Sequence, residues 1–387
     1  VGLRAGPPAM RFNFKTKRGL RIPLSGAPEQ RLRDGNEVRS VGLVAADYRG
    51  LKPALLVREG ERVRLGQPLL RDKIFSDRVL TSPGCGEVSA VHLGPRRALQ
   101  SLVIRLDGDE EESFEPVARS GLSLLGPEAA RDRLLASGLW ASLRTRPFSQ
   151  VPEPASVPHA IFVTAMDSNP LAADPRVVIE TCPQDFADGV SVLSRLTEGE
   201  VYVCQAPGAD LPLPDIDGVS SAVFAGPHPA GLPGTHIHFL DPVSETKSVW
   251  HLHYQDVIAI GRLFTSGRLS VERVISLAGP LVRRPGLLRA RVGASTADLL
   301  EGELEDTECR VISGSILGGR RAAGWARYLG PFHLQISVLP QTRERELVGW
   351  LRPGWKKYSA IAAFASALRP RTQYPLNTSQ HGSPRAM

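Results

Sequence analysis

Residues 160–196 read AIFVTAMDSNPLAADPRVVIETCPQDFADGVSVLSRL, and this stretch decides the architecture. Its first six residues form a short apolar, β-branched run, which predicts a buried strand at 160–165. The C-terminal end of that strand runs into a Pro- and Asp-containing loop. Val177, Val178, Phe186, Val190 and Leu193 then recur at helical spacing. They predict one helix from Pro175 to Leu196, with Asp174 as its N-cap. Glu200–Gln205 and Ser221–Ala225 read as the next strands, and Tyr254–Phe264 as a closing helix. Strand–helix–strand alternation predicts a doubly wound α/β domain over 120–268.

On the N-terminal side the pattern changes. Residues 12–106 read as short strands with frequent turns, and Arg62-Val63-Arg64-Leu65 alternates as a half-buried strand does. Gly60 and Gly66 mark tight turns. The order Val57-x-x-Gly60-x-x-Val63-x-x-Gly66-Gln67-x-Leu69, then Asp72-Lys73, then Ser82-Pro83-x-x-Gly86-x-Val88, resembles the barrel-sandwich fold of biotinyl and lipoyl carrier domains. It predicts such a domain over 10–108. In the carriers a hairpin lysine is modified, and Lys73 occupies the comparable place; its other reading is a solvated loop lysine. Residues 107–119 (DGDEEESFEPVAR) are acidic, lack periodic apolar residues and read as a linker. Pro127 and Glu128 open a helix in which Leu134, Leu135, Leu139 and Trp140 repeat at helical spacing.

On the C-terminal side, residues 269–345 hold four strand-like segments and a short helix at Ser295–Leu304, which predicts a β-grasp domain. The tail, 346–387, reads as the start of a truncated C-terminal region, leaving apolar surface around Trp350, Trp355 and Phe364. Residues 1–9 read as a non-native extension, with Met10 as the start.

Composition excludes several classes. The 387 residues are 42% hydrophobic and 22% charged, which rules out disordered and collagen-like chains. No apolar run approaches the ~18–20 residues of a membrane span. The net charge is +7, but the basic residues are scattered and aromatics make up only 6%, so nucleic acid is not the expected partner. The four cysteines (85, 182, 204 and 309) have no C-x-x-C spacing, which argues against an iron–sulfur or zinc site within the chain. His228, His236 and His238 form H-x7-H-x-H, and His251 and His253 repeat the i,i+2 spacing. Read as strands, each i,i+2 pair shares a face and could share a metal; without a carboxylate at ligand spacing they read as hydrogen-bonded histidines, and no metal is expected. No nucleophile elbow, G-x-G-x-x-G or Walker A loop is present, so no catalytic residue is assigned.

Four longer strings carry a family resemblance: GLWASLRTRPFS (138–149), VTAMDSNPLAADP (163–175), GPHPAGLPGTHIHFL (226–240) and YQDVIAIG (254–261). With KRGLRIPLSGAPEQ near the start and SPRAM at the end, the chain resembles the NqrA family, whose members are subunits of the sodium-translocating NADH:quinone reductase. The resemblance implies a barrel-sandwich, a Rossmann-like and a β-grasp (SLBB-like) domain. It implies a peripheral subunit on the cytoplasmic face of the bacterial inner membrane, in a six-subunit complex that carries electrons from NADH to ubiquinone and exports Na+. The five other subunits, chiefly the membrane subunit NqrB, are the implied partners. The complex uses FAD, FMN, riboflavin, iron–sulfur centres, NADH and ubiquinone.

Relatives in the Rnf complex and in respiratory complex I bind NADH and FMN through a loop of the type G-G-A-G-F-P-T. The matching stretch here keeps only Gly138, with Trp140, Leu143 and Arg144 in place of small residues. Their E-C-E-P matches Asp167-Ser168-Asn169-Pro170. No cofactor is therefore expected in this subunit; an FMN/NADH-binding input subunit is the alternative. Trp140, Arg144, Arg146 and Phe148, with Tyr48, are the candidates for contact with a quinone head, Arg donating to its oxygens and aromatics covering its ring. In the competing reading the two arginines cap a helix C-terminus and pair with carboxylates.

Overall fold

A computed structural model describes residues 11–343, 352–358, 363–369 and 372–378. The expectations for residues 1–9 and for Trp350 lie outside the described residues. In chain order the first elements are β1 (Arg11–Lys15), β2 (Glu29–Asp34), β3 (Ser40–Val44), β4 (Pro53–Leu55), β5 (Arg62–Val63), β6 (Pro68–Asp72), β7 (Val79–Thr81), β8 (Gly86–Leu93) and β9 (Leu99–Leu106). Strands β3–β9 build two small sheets, ordered β3-β9-β8-β5 and β4-β6-β7, in which β5, β8 and β9 pair antiparallel, as do β4, β6 and β7. Val63, Leu69, Leu70, Val88, Leu102 and Ile104 are buried among them.

The first two strands go elsewhere. β1 pairs in parallel with β13 (Val219–Ala225), so the run of strands from residue 12 is not one domain's sheet system. Phe12 and Phe14 lie on one face of β1, and Phe14 stacks on Phe224 at 4.9 Å and meets Phe239 at 5.4 Å. These rings pack on one face of the sheet, and β1 forms its edge. β2 joins the C-terminal sheet.

The central part contains α1 (Pro127–Ala136), β10 (Arg144–Arg146), β11 (Ile161–Ala165), α2 (Pro175–Ile179), α3 (Pro183–Leu193), β12 (Val201–Gln205), β13, α4 (Pro233–Leu240), β14 (Val249–His253) and α5 (Tyr254–Ser266). The sheet order is β1-β13-β12-β11-β14-β10. All neighbours are parallel except β10, which runs antiparallel to β14 along the edge. Every residue of β11 is buried, as its apolar run predicts.

The single helix expected over 175–196 is two helices. Pro183 has no N–H to continue the first, and Cys182 turns out of helical geometry (φ −149, ψ 57) before α3 begins. Asp174 does cap α2, accepting from the Arg176 N–H at 2.9 Å. Nor is 107–119 a free linker. Glu112, Phe114 and Val117 donate backbone hydrogen bonds to Leu65, Gly267 and Phe264 at 2.7–2.8 Å, and Glu111 pairs with Arg268. Backbone bonding holds this segment without apolar periodicity.

The last elements are β15 (Glu272–Ala278), β16 (Gly286–Arg291), α6 (Thr296–Leu299), β17 (Cys309–Ser313), β18 (Arg320–Arg321) and β19 (Gln335–Pro340). With β2 they form one mixed sheet, β18-β17-β19-β15-β16-β2. The helix expected over 295–304 is only one turn. Phe364 is buried rather than exposed, whereas Trp355 remains half-exposed. Among the described residues, packing groups those up to Arg18 with Leu43–Ser168 and Asp174–Val271 in one unit, and Gly19–Gly42, Asn169–Ala173 and those from Glu272 onward in the other.

Candidate functional site

The site is built at the β10 edge of the parallel sheet. α1 ends at a turn where Gly138 takes φ +78, and a Cβ there would lie 2.7 Å from Thr81 Oγ1. A 3-10 turn, Leu139–Ser142, then sends Trp140 inward. Its indole is buried, donates to the Pro152 carbonyl at 2.9 Å, and meets Trp250 edge-to-face at 5.2 Å. The chain next pairs with β14: Arg144 opposite His251, Thr145 opposite Trp250, Arg146 opposite Val249. Opposed residues share a face, so Arg144, Arg146 and His251 lie on one side of the sheet and Trp250 on the other. Both arginines lie on this edge strand, beyond the C-terminus of α1.

After Arg146 the chain turns through a cis Arg146–Pro147 bond. Thr145 N donates to Gln150 O and Ser149 N to Thr145 O, each at 2.8 Å, and the turn leaves Phe148 76% exposed. A cleft of about 760 Å³ opens here, lined by Thr145, Arg146, Phe148, Val243, Lys247 and Trp250 among others. Of the five quinone candidates, the cleft brings together Arg146 and Phe148. Tyr48 and Trp140 are buried. Arg144 is half-buried and reaches the Asp47 carbonyl at 3.4 Å.

The electrostatics are those of crowded cations. Burial, then Arg49 and Arg146, pull Arg144 down to about 10 against the weaker pull of Asp256 and Asp47. Burial and Arg49 also lower Arg146. Arg49 had no local signal. It sits beside the segment because Val151 N donates to the Arg49 carbonyl at 3.4 Å. His251 is buried and held well below its ordinary value, by desolvation first and then by Arg146, His253, Arg144 and His236.

The histidine spacing resolves differently in each place. His236 and His238 lie on helix α4, not a strand, so their side chains diverge: His236 is buried and His238 exposed. His236 Nε2 donates to the Ala230 carbonyl at 3.0 Å and its ring lies 4.4 Å from that of Phe224. His228 Nδ1 meets Ser168 Oγ at 3.2 Å, and Ser168 Oγ accepts from Gly231 N at 2.8 Å. Ser168 therefore anchors the 226–232 loop. Among the described residues no group of three or more His, Cys, Asp or Glu side chains could hold a metal, and none of the four cysteines is in a disulfide.

His236 gives a pH prediction. Burial pulls it from 6.5 to about 4, so it is neutral in the folded chain at pH 7. Between those values the unfolded chain binds the extra proton. The stability that goes with the neutral ring is therefore complete above about pH 6.5 and is lost as pH falls through that window. From pH 7 to pH 5 the loss through His236 is expected to be about 2 kcal/mol. Urea midpoints at the two pH values check this, and His236→Gln should flatten the difference; an unchanged difference would assign the acid loss to other groups.

Two small sheets, a largely parallel sheet with helices and a further mixed sheet define a multidomain α/β protein. No helix among the described residues is long and apolar enough to cross a membrane. Family models match in three places: the NqrA N-terminal barrel-sandwich hybrid domain at 14–107, the NqrA second alpha/beta domain at 125–269, and the NQRA C-terminal domain at 274–324. The chain is 53% identical over 374 residues to the NqrA subunit of the Na(+)-translocating NADH-quinone reductase of Pseudomonas aeruginosa, covering 97% of this chain and 84% of that one. The corresponding subunit of Pasteurella multocida is 50% identical over 371 residues, covering 96% and 83%. The chain belongs to the NqrA family of Na(+)-translocating NADH-quinone reductase subunits. A solved NAD+-reducing [NiFe]-hydrogenase is similar over 58% of this chain and 49% of its own at 14% identity, with a TM-score of 0.41, too distant to bear on function.

Proposed function

We propose that the chain is the peripheral NqrA subunit of the sodium-pumping NADH:ubiquinone reductase, on the cytoplasmic face of the bacterial inner membrane, with the membrane subunit NqrB as its chief neighbour. The observation that carries this is the 53% identity across nearly the whole chain. The complex oxidises NADH, reduces ubiquinone and exports Na+; this subunit is structural or quinone-contacting and turns nothing over alone. The central sheet is read as Rossmann-like and the third sheet as β-grasp. The domain division 10–108, 120–268 and 269–345 is supported by the positions of the three family matches, with β1 and β2 as the strands that pair outside the first domain.

An FMN or NADH site does not fit these residues. Where flavin-binding relatives carry glycines, this chain places the buried Trp140 and the edge strand Arg144–Arg146. Backbone N–H groups of an edge strand already bonded to β14 are not free to cradle a phosphate. The cleft suits a quinone head better: Arg146 supplies donors, Phe148 an exposed ring, and Trp250 a buried wall.

Trp250 also supplies the assay. Titration of the purified chain with a short-chain ubiquinone is expected to quench Trp fluorescence saturably, with no flavin absorbance in the same sample. Arg146→Ala should weaken half-saturation about tenfold, the worth of a charge-assisted hydrogen bond. A stoichiometric flavin band would establish the alternative, an FMN-bearing input subunit. Neither quenching nor a flavin band would leave a scaffold.

A further inference from the structure

We propose that Arg146, Arg49 and the buried Nε2 of His251 form a binding site for a small oxyanion, of phosphate or carboxylate chemistry, on the face of the parallel sheet opposite Trp250. This goes beyond the quinone reading, which needs only neutral acceptor oxygens.

The register carries the argument. Arg146 and His251 share one face, two residues apart along the β10–β14 ladder, with Arg144 directly opposite His251. Arg146 Nε and His251 Nε2 are both buried and both lack a hydrogen-bond partner. No carboxylate among the described residues lies within salt-bridge distance of Arg146. The charged group that acts on it is another cation, Arg49. A half-buried guanidinium without a counter-ion is costly, and a neighbouring cation adds to the cost. Water would satisfy the N–H groups but not the charge. An oxyanion does both, since a guanidinium and a neutral imidazole N–H are matched donors for its oxygens. Arg146 is only half-buried, which leaves an anion a way in from solvent.

Thermal unfolding of the full chain tests the site, with inorganic phosphate or acetate exchanged for chloride at constant ionic strength. Ligand that binds only the folded chain raises Tm saturably. The wild type is expected to show this with phosphate, acetate or both, and the pair identifies the chemistry served. Arg146→Gln should raise the half-saturating concentration tenfold or more. Arg49→Gln, at an exposed position that leaves folding intact, should raise it threefold or more. Arg62→Gln, in the surface pair with Asp107 on the barrel-sandwich sheet, should leave it unchanged. If Arg146→Gln fails to fold, Arg49→Gln and His251→Gln carry the comparison. No saturable rise in either anion, or equal binding by wild type and Arg49→Gln, overturns the site.

Discussion

Asp72→Ala is expected to destabilise the chain by about 3–5 kcal/mol, the cost of stranding a buried cation. Asp72 and Arg78 close the β6–β7 hairpin as an ion pair whose side chains are 0% and 5% exposed. Asp72 Oδ1 also accepts from the backbone N–H groups of Lys52 at 3.2 Å and Ile74 at 3.1 Å. Arg78 donates to the Val151 carbonyl at 3.0 Å and lies 4.3 Å from the centre of the Phe75 ring. Removing the carboxylate leaves the guanidinium with a carbonyl and a ring but no counter-charge. The double variant Asp72→Ala with Arg78→Met should recover most of the loss, because the uncompensated charge goes with the arginine. Urea midpoints of the wild type, both single variants and the double variant form the cycle. An Asp72→Ala loss below about 1 kcal/mol would mean that water reaches Arg78. The same pair bears on Lys73, which is exposed at the hairpin tip while its neighbour Asp72 locks the turn beneath it.

Gly261→Ala is expected to cost about 3 kcal/mol, although helix propensity alone predicts a gain of about 1 kcal/mol. Gly261 lies on α5, where a Cβ would fall 1.9 Å from the Asp185 carbonyl oxygen of α3. Gly189 of α3 faces back: its Cβ would fall 2.0 Å from the Val257 carbonyl oxygen. Both obstacles are backbone, so neither can swing aside. The helices must separate, loosening Phe186, Val190, Val257 and Phe264, all fully buried. At about 2–4 °C per kcal/mol for a unit of this size, Tm should fall by roughly 6–12 °C. An unchanged or higher Tm for Gly261→Ala would show that α3 and α5 slide apart at little cost.

Much of the site was visible in the linear order, though not its shape. The segment 138–149 stood out by its residues, and Arg146 and Phe148 do share a cleft there. Trp140 reads as an aromatic contact in the sequence, yet it is buried against Trp250 with its N–H donated to Pro152. Arg49 carries no local mark at all; hydrogen bonds from Val151 to its own carbonyl and from Arg144 to the Asp47 carbonyl bring its segment to the site. His236 and His238 show why spacing alone misleads. The same i,i+2 interval shares a face on a strand, as for His251 and His253 on β14, and splits on a helix.

The sequence alone determined the strands 161–165 and 201–205, the closing helix α5, the cap at Asp174 and the family. Each rests on local periodicity or on an ordered string, and burial imprints periodicity directly on the chain. The tertiary structure decided the rest: β1 on the edge of the parallel sheet, β2 in the C-terminal sheet, the acidic segment 107–119 strapped to α5, and three arginines crowded beside a buried imidazole. Those choices depend on which distant surface completes a ladder or covers a ring. Strand pairing and charge crowding are set by neighbours in space, and no run of adjacent residues encodes who those neighbours are.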